Sequence, residues 1–250
     1  MAGFVDRTLR HAAVGRLRRG AVVLGAAALC TVSPTVRPSI AQVGYDPARS
    51  PFRDVTHEKG PFVTTGWLAG ERGRVGVGHA NGSTITAGFE FPITGNLNFF
   101  TSFTYALTDR YIVDPTKDDS VRKTGPFEDD MSILDIGVRF SLTGRKTWRN
   151  LAPYLRAAAG LATSRGSPVD SSGYRFGRKI AFSPGAGVRW YPSRRVIVVL
   201  DGRATLWRLR YPPDFHAIRS PDGIPVLAAD QPRTDWTVHP WVSVGVGWTF

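Results

Sequence analysis

Val242-Ser-Val-Gly-Val-Gly-Trp-Thr-Phe250 decides the fold. In an extended strand, successive side chains point to opposite sides. Val242, Val244, Val246, Trp248 and Phe250 therefore share one face, and Ser243, Gly245, Gly247 and Thr249 share the other. The second face is made of glycine and small hydroxyls, not of the lysines and glutamates that a water-facing sheet carries. The arrangement recurs upstream. Leu134, Ile136, Val138, Phe140 and Leu142 stand against Ile133, Asp135, Gly137, Arg139 and Ser141. Phe182, Pro184, Ala186, Val188 and Trp190 stand against Ser183, Gly185, Gly187 and Arg189.

Period-2 alternation broken by turn residues also marks Thr84–Phe91, Leu97–Thr108, Pro153–Ala162 and Val196–Leu209 as strands. The first strand has two candidates. Phe62–Ala69 puts Trp67 on the apolar face, whereas Gly73–Ala80 would close on an Asn81-Gly82 hairpin turn. Phe62–Ala69 is preferred because it completes a set of eight, each near the ~9–11 residues of a tilted membrane strand. The connections alternate in length. Pro92–Asn96, Gly144–Ala152 and Tyr191–Arg195 are short turns, and stretches near 109–130, 163–180 and 210–238 are long and polar. Short turns at one end and long loops at the other define an up-and-down transmembrane barrel. The expectation is all-β: an up-and-down antiparallel transmembrane β-barrel of about eight strands over residues 61–250. A flexible lead-in at 42–60, with Pro47, Pro51 and Gly60 and no period, precedes it.

Alternation alone does not say which face is outside, because a soluble barrel turns its apolar face inward. Here the polar parity is small residues with a few charges of both signs: Glu90, Asp135, Arg139, Arg156, Arg189, Asp201 and Arg203. Four positive and three negative groups can nearly neutralise one another inside a lumen only wide enough for side chains. The apolar parity carries aromatics toward strand ends. Phe91, Phe99, Tyr154, Trp190, Trp248 and Phe250 lie near the short turns, and Trp67, Tyr105, Trp207, Tyr211 and Trp236 near the long loops. Two such bands match the girdles of a membrane barrel.

The first 41 residues read as a cleaved signal peptide. Arg7, Arg10, His11, Arg16, Arg18 and Arg19 are followed by the apolar run Ala21–Leu29 and by Ser39-Ile40-Ala41. The formal net charge of +12 stays positive without them, and the only cysteine, Cys30, leaves with the leader. That excludes disulfide and thiol chemistry from the mature chain. The positive excess suits anionic lipid, including lipopolysaccharide, while an exported chain without a clustered basic motif is not expected to bind nucleic acid.

In these features the chain resembles the outer-membrane barrel families that include OmpA-, OmpX- and OmpW-like proteins. The resemblance covers about residues 60–250, but only the last strand is motif-like. It implies that Val242, Val244, Val246, Trp248 and Phe250 are an assembly signal read by the barrel-assembly machinery. It departs from OmpA in having no periplasmic peptidoglycan-binding domain after the barrel.

Catalysis by a Ser–His pair needs the base within reach of the nucleophile. Lipid A deacylases of similar architecture carry His and Ser two apart on one strand. Neither His239-Pro240-Trp241 nor His216-Ala217-Ile218 matches, and His57, His79, His216 and His239 are expected on the surface. Asp118-Asp119 and Glu128-Asp129-Asp130 lack the spacing of a calcium loop and read as solvated loop residues. No catalytic, cofactor or metal residues are expected. The expected function is that of a monomeric outer-membrane protein, structural or acting on the surroundings through extracellular loops whose ligand the sequence does not name. A small pore or passage for hydrophobic molecules is the first alternative, and a lipid-modifying enzyme the second.

Overall fold

The computed structural model describes residues 50–166, 170 and 172–250. The signal-peptide reading of residues 1–41 lies outside the described residues. Twelve strands follow in chain order: β1 (Phe52–Asp54), β2 (Gly60–Leu68), β3 (Gly82–Thr94), β4 (Leu97–Leu107), β5 (Asp109–Val113), β6 (Lys123–Glu128), β7 (Met131–Ser141), β8 (Lys146–Trp148), β9 (Leu151–Ser164), β10 (Arg178–Trp190), β11 (Val196–Arg210) and β12 (Thr234–Trp248). Eight of them pair in the ring β2-β3-β4-β7-β9-β10-β11-β12, which closes antiparallel between β12 and β2. Closure leaves the barrel no free edge.

The face assignment follows from exposure. Val242, Val244, Val246 and Trp248 on β12 are exposed, and so are Leu134, Ile136, Val138 and Phe140 on β7. Thr237, His239, Trp241 and Ser243, on the alternate parity of β12, are buried. The apolar face is the outer face. Two inward glycines show why that parity tolerates nothing larger. A Cβ at Gly187 would strike the Tyr154 ring, and one at Gly137 would strike the Ala157 carbonyl and the Phe100 ring. Small residues on one strand make room for aromatics and arginines on the next, the filling that a narrow barrel requires.

The structure agrees with the sequence reading on the first strand and differs from it elsewhere. The first strand is Gly60–Leu68, as preferred, with Trp67 56 % exposed. The lead-in is not featureless: β1 pairs with β8, inside the turn expected at Gly144–Ala152. The strands run farther toward the long loops than the alternation of apolar residues alone indicates, with β12 starting at Thr234 and β10 at Arg178. At the other end β12 stops at Trp248. Phe250 lies just past the strand, exposed, with its N–H donating to the Lys59 carbonyl at 2.8 Å. Finally, the 109–130 connection is not a loose loop, because β5 and β6 form a hairpin of their own.

Candidate functional site: the filled interior

Toward the short-turn end, the strands project seven charges inward, the same seven that share the polar parity. Glu90 on β3 accepts from two arginines: Arg139 Nε on β7 at 2.6 Å, and Arg189 on β10. Arg156 Nη1 on β9 donates to both Asp201 carboxylate oxygens on β11 at 3.0 and 3.1 Å. Arg203 Nη1 reaches Asp135 Oδ2 at 3.4 Å. Rings complete the layer. Arg156 lies over Phe100 at 4.4 Å and Arg203 over Trp241 at 3.4 Å, while Arg139 and Arg189 flank Tyr154. Desolvating so many charges is costly, and the layer holds because each charge has an opposite partner in contact. The pairing leaves Asp135 Oδ1, Arg189 Nε and Arg203 Nε without protein partners. The space among these groups is a cavity of about 20 Å³, and a second of about 10 Å³ lies beyond Arg139. Such volumes hold about one water each.

Toward the long-loop end the filling changes character. Leu68, Ala106, Met131, Ile133, Ala162, Ala181, Trp207, Leu209 and Trp241 project inward from the strands. Val77, Tyr174, Phe176, Tyr211, Phe215 and Leu227 come from the connections and pack onto them. Phe176 meets Trp207 edge-on at 5.7 Å and His79 edge-on at 4.6 Å. Trp207 in turn stacks on His239 at 3.8 Å. The loops thus form a plug seated in the barrel mouth.

One buried polar knot pins that plug. Arg110 on β5 donates to Asp129 at 2.5 Å and to Asp170 at 2.6 Å, and Ser164 Oγ donates to the other Asp129 oxygen at 2.5 Å. His79 Nε2 sits 3.4 Å from Asp129 Oδ2, too poorly aligned for a hydrogen bond. Burial alone would raise the Asp129 carboxyl. Interactions with His79, Ser164 and Arg110 outweigh it and hold that group well below the usual carboxylate range. Above the plug, the loops clasp one another. The Asp119 N–H donates to Asp222 Oδ2 at 2.7 Å, the Asp222 N–H donates to Asp118 Oδ1 at 3.1 Å, and Arg122 Nη2 donates to the Ile224 carbonyl at 2.9 Å.

Several sequence expectations are corrected here. Tyr154, Trp207 and Tyr211 are not girdle residues; all three are buried inside. Trp67, Tyr105, Trp236, Phe91, Trp190, Trp248 and Phe250 do lie on the outside. His79 and His239 are not surface histidines, for both are completely buried. Asp129 is no solvated loop carboxylate, and Asp118 holds a neighbouring loop. A signal for some of these existed. Trp207 shares its parity with Asp201 and Arg203, His239 and Trp241 share theirs with Ser243, and Tyr154 shares its own with Arg156. No periodic signal marks His79 or Arg110, because tertiary packing of the connections alone brings them inside.

A closed antiparallel barrel with an apolar outer face and its charges paired within belongs to the class of small eight-stranded barrels of bacterial outer membranes. No family model matches the chain, and no curated protein matches it in sequence. Solved structures of similar architecture include Neisserial surface protein A, at 13% identity and a TM-score of 0.48, covering 80% of this chain and 98% of that one. The outer membrane protein OprG from Pseudomonas aeruginosa is at 9% identity and a TM-score of 0.47, covering 79% and 99%. The outer membrane enzyme PagL is at 12% identity and a TM-score of 0.39, covering 74% and 97%. The membrane assignment rests on the two faces of this barrel rather than on those likenesses.

Proposed function

We propose that this chain is a non-conducting, non-enzymatic outer-membrane barrel that acts through the surface its long connections present outside the cell. The observation that carries this reading is the double filling of the interior, a paired charge layer below and a loop-built apolar plug above. The loop clasp through Asp118, Arg122 and Asp222 supports it further, because a cross-braced crown offers a fixed outer surface to a partner. His239 has a hydroxyl in reach, Thr237 Oγ1 at 2.9 Å, but both groups lie inside beneath Trp207, away from the lipid that a lipid-modifying enzyme must reach. The terminal pattern ending at Phe250 keeps its proposed role as the assembly signal.

The test is to reconstitute the protein into vesicles loaded with a small hydrophilic solute and follow both solute and lipid. Retention of the solute with unchanged lipid masses is the expected outcome. Solute efflux would make the chain a pore, and loss of acyl chains from the lipid would make it an enzyme.

A further inference from the structure

Along the eight barrel strands the outward face carries three charged residues, Arg178, Arg208 and Arg210. They are neighbours at the long-loop ends of β10 and β11. Ala181 pairs with Trp207, so continuing that register sets Arg178 beside Arg210, and across the other seam Arg208 faces Trp236. With Lys179, Arg233 and Thr234 they line a single open hollow.

Five cations around one hollow repel one another, and Lys179 alone lies over an aromatic ring, that of Phe176 at 5.8 Å. Among the described residues none of the five forms an ion pair within 4.0 Å. Their hydrogen bonds go to neutral oxygens: Arg208 Nη2 to Thr234 Oγ1 at 2.8 Å, and Arg233 Nε to the Tyr211 carbonyl at 3.4 Å. The seven charges of the inner layer are all paired, whereas Arg178, Arg208 and Arg210 point outward with no opposite charge beside them.

Its height on the barrel indicates what would pair it. Ile180, Phe182 and Trp236, on the same outward surface, are 65%, 48% and 56% exposed and belong to the lipid-facing belt. Ile180 and Arg178 are two residues apart, a rise of about 7 Å along the strand. The hollow therefore lies where hydrocarbon gives way to head groups. Four strands round the ring, the corresponding level of β4 carries Tyr105, whose hydroxyl donates to Asp130. The basic sector occupies one side of the barrel only.

We propose that Arg178, Lys179, Arg208, Arg210 and Arg233 form a binding site for the phosphate groups of an anionic outer-leaflet lipid of the lipopolysaccharide class. Arginine forks match phosphate oxygens two at a time, and the neighbouring apolar belt receives the acyl chains of the same molecule. The proposal rests on the membrane-barrel reading and names the lipid that one sector of that barrel holds.

The experiment refolds the protein into phosphatidylcholine vesicles alone, with lipopolysaccharide, or with lipopolysaccharide stripped of its phosphates. The midpoint of thermal unfolding is read from the gel-mobility difference between folded and boiled protein. Phosphorylated lipopolysaccharide is expected to raise the midpoint, the stripped lipid is not, and Arg208→Gln combined with Arg210→Gln abolishes the rise while the variant still folds in plain vesicles. An undiminished rise in the variant, or an equal rise with stripped lipid, overturns the site. So does a rise produced by a soluble sulfated glycan but not by lipopolysaccharide, which would assign the cluster to a glycan partner instead. Failure of the unmutated protein to fold into any vesicle would overturn the membrane reading, and the proposal with it.

Discussion

The two halves of the barrel interior are filled by different means. In the lower half all seven charged side chains sit on barrel strands, and oppositely charged groups are held a few ångströms apart by the register. In the upper half the strands supply only one wall, and Phe176, Phe215, Leu227 and their neighbours arrive from the connections. The lower layer is therefore part of the barrel itself, and removing a partner there exposes a buried charge. The upper layer is an attachment that can loosen without opening the ring. Local stability follows such differences in how a segment is tied down.

The largest expected effect comes from breaking the lower layer. Glu90→Gln leaves Arg139 and Arg189 buried without a carboxylate, and should cost about 4 kcal/mol in a refolding titration. A cost near zero would mean that the two arginines find other partners and that the layer is not a unit. Next is the outer face. Val244→Arg and Ile136→Arg, toward the middle of the lipid belt, should each cost about 3 kcal/mol in vesicles. Tolerance of both would reverse the face assignment. The upper layer should respond more weakly. Leu227→Ala empties a buried site beneath its bond to the Phe215 carbonyl, and is expected to cost about 2 kcal/mol, with faster amide exchange in the connections but not in the strands. If exchange speeds up equally in β9 and β10, plug and barrel unfold together and the contrast between the halves fails.

The smallest effect is one of pH. Asp129 is held below its unfolded value, so its ionised form contributes stability that is complete above the unfolded value. That contribution is lost as pH falls through the lower folded value. Below about pH 3.8, the ordinary value for this group, the connections around Arg110 and Asp170 should begin to exchange faster while the barrel strands stay protected. Asp129→Asn should show fast exchange already at neutral pH. Identical exchange in the variant and the unmutated protein would remove Asp129 from the role of pin.

The same contrast explains how much was legible in the sequence. Strand parity carries the outer face and the lower layer, because a strand alternates strictly between two sides and a barrel assigns each side one solvent. Glu90, Asp135, Arg139, Arg156, Arg189, Asp201 and Arg203 are readable as a set for that reason. Parity was also sufficient for Trp207, Tyr154 and His239, but the preference of aromatics for membrane boundaries competes with it, and at these positions parity decides. Val77, His79, Arg110 and Asp129 lie in or beside irregular segments with no period. Their burial depends on which loop meets which, and the residues themselves do not announce that meeting. Glycine positions are similarly opaque: Gly137 reads as an interchangeable small lumen residue, yet its neighbours leave no room for a side chain.

The central claim, an interior closed at two levels, is tested most directly by single-channel recording of the unmutated protein in planar bilayers at neutral pH. The account predicts a silent bilayer, with folded protein verified in the same membrane by its gel mobility. Reproducible, stable conductance steps would show a continuous water path past Arg139 and past the plug, and would contradict it.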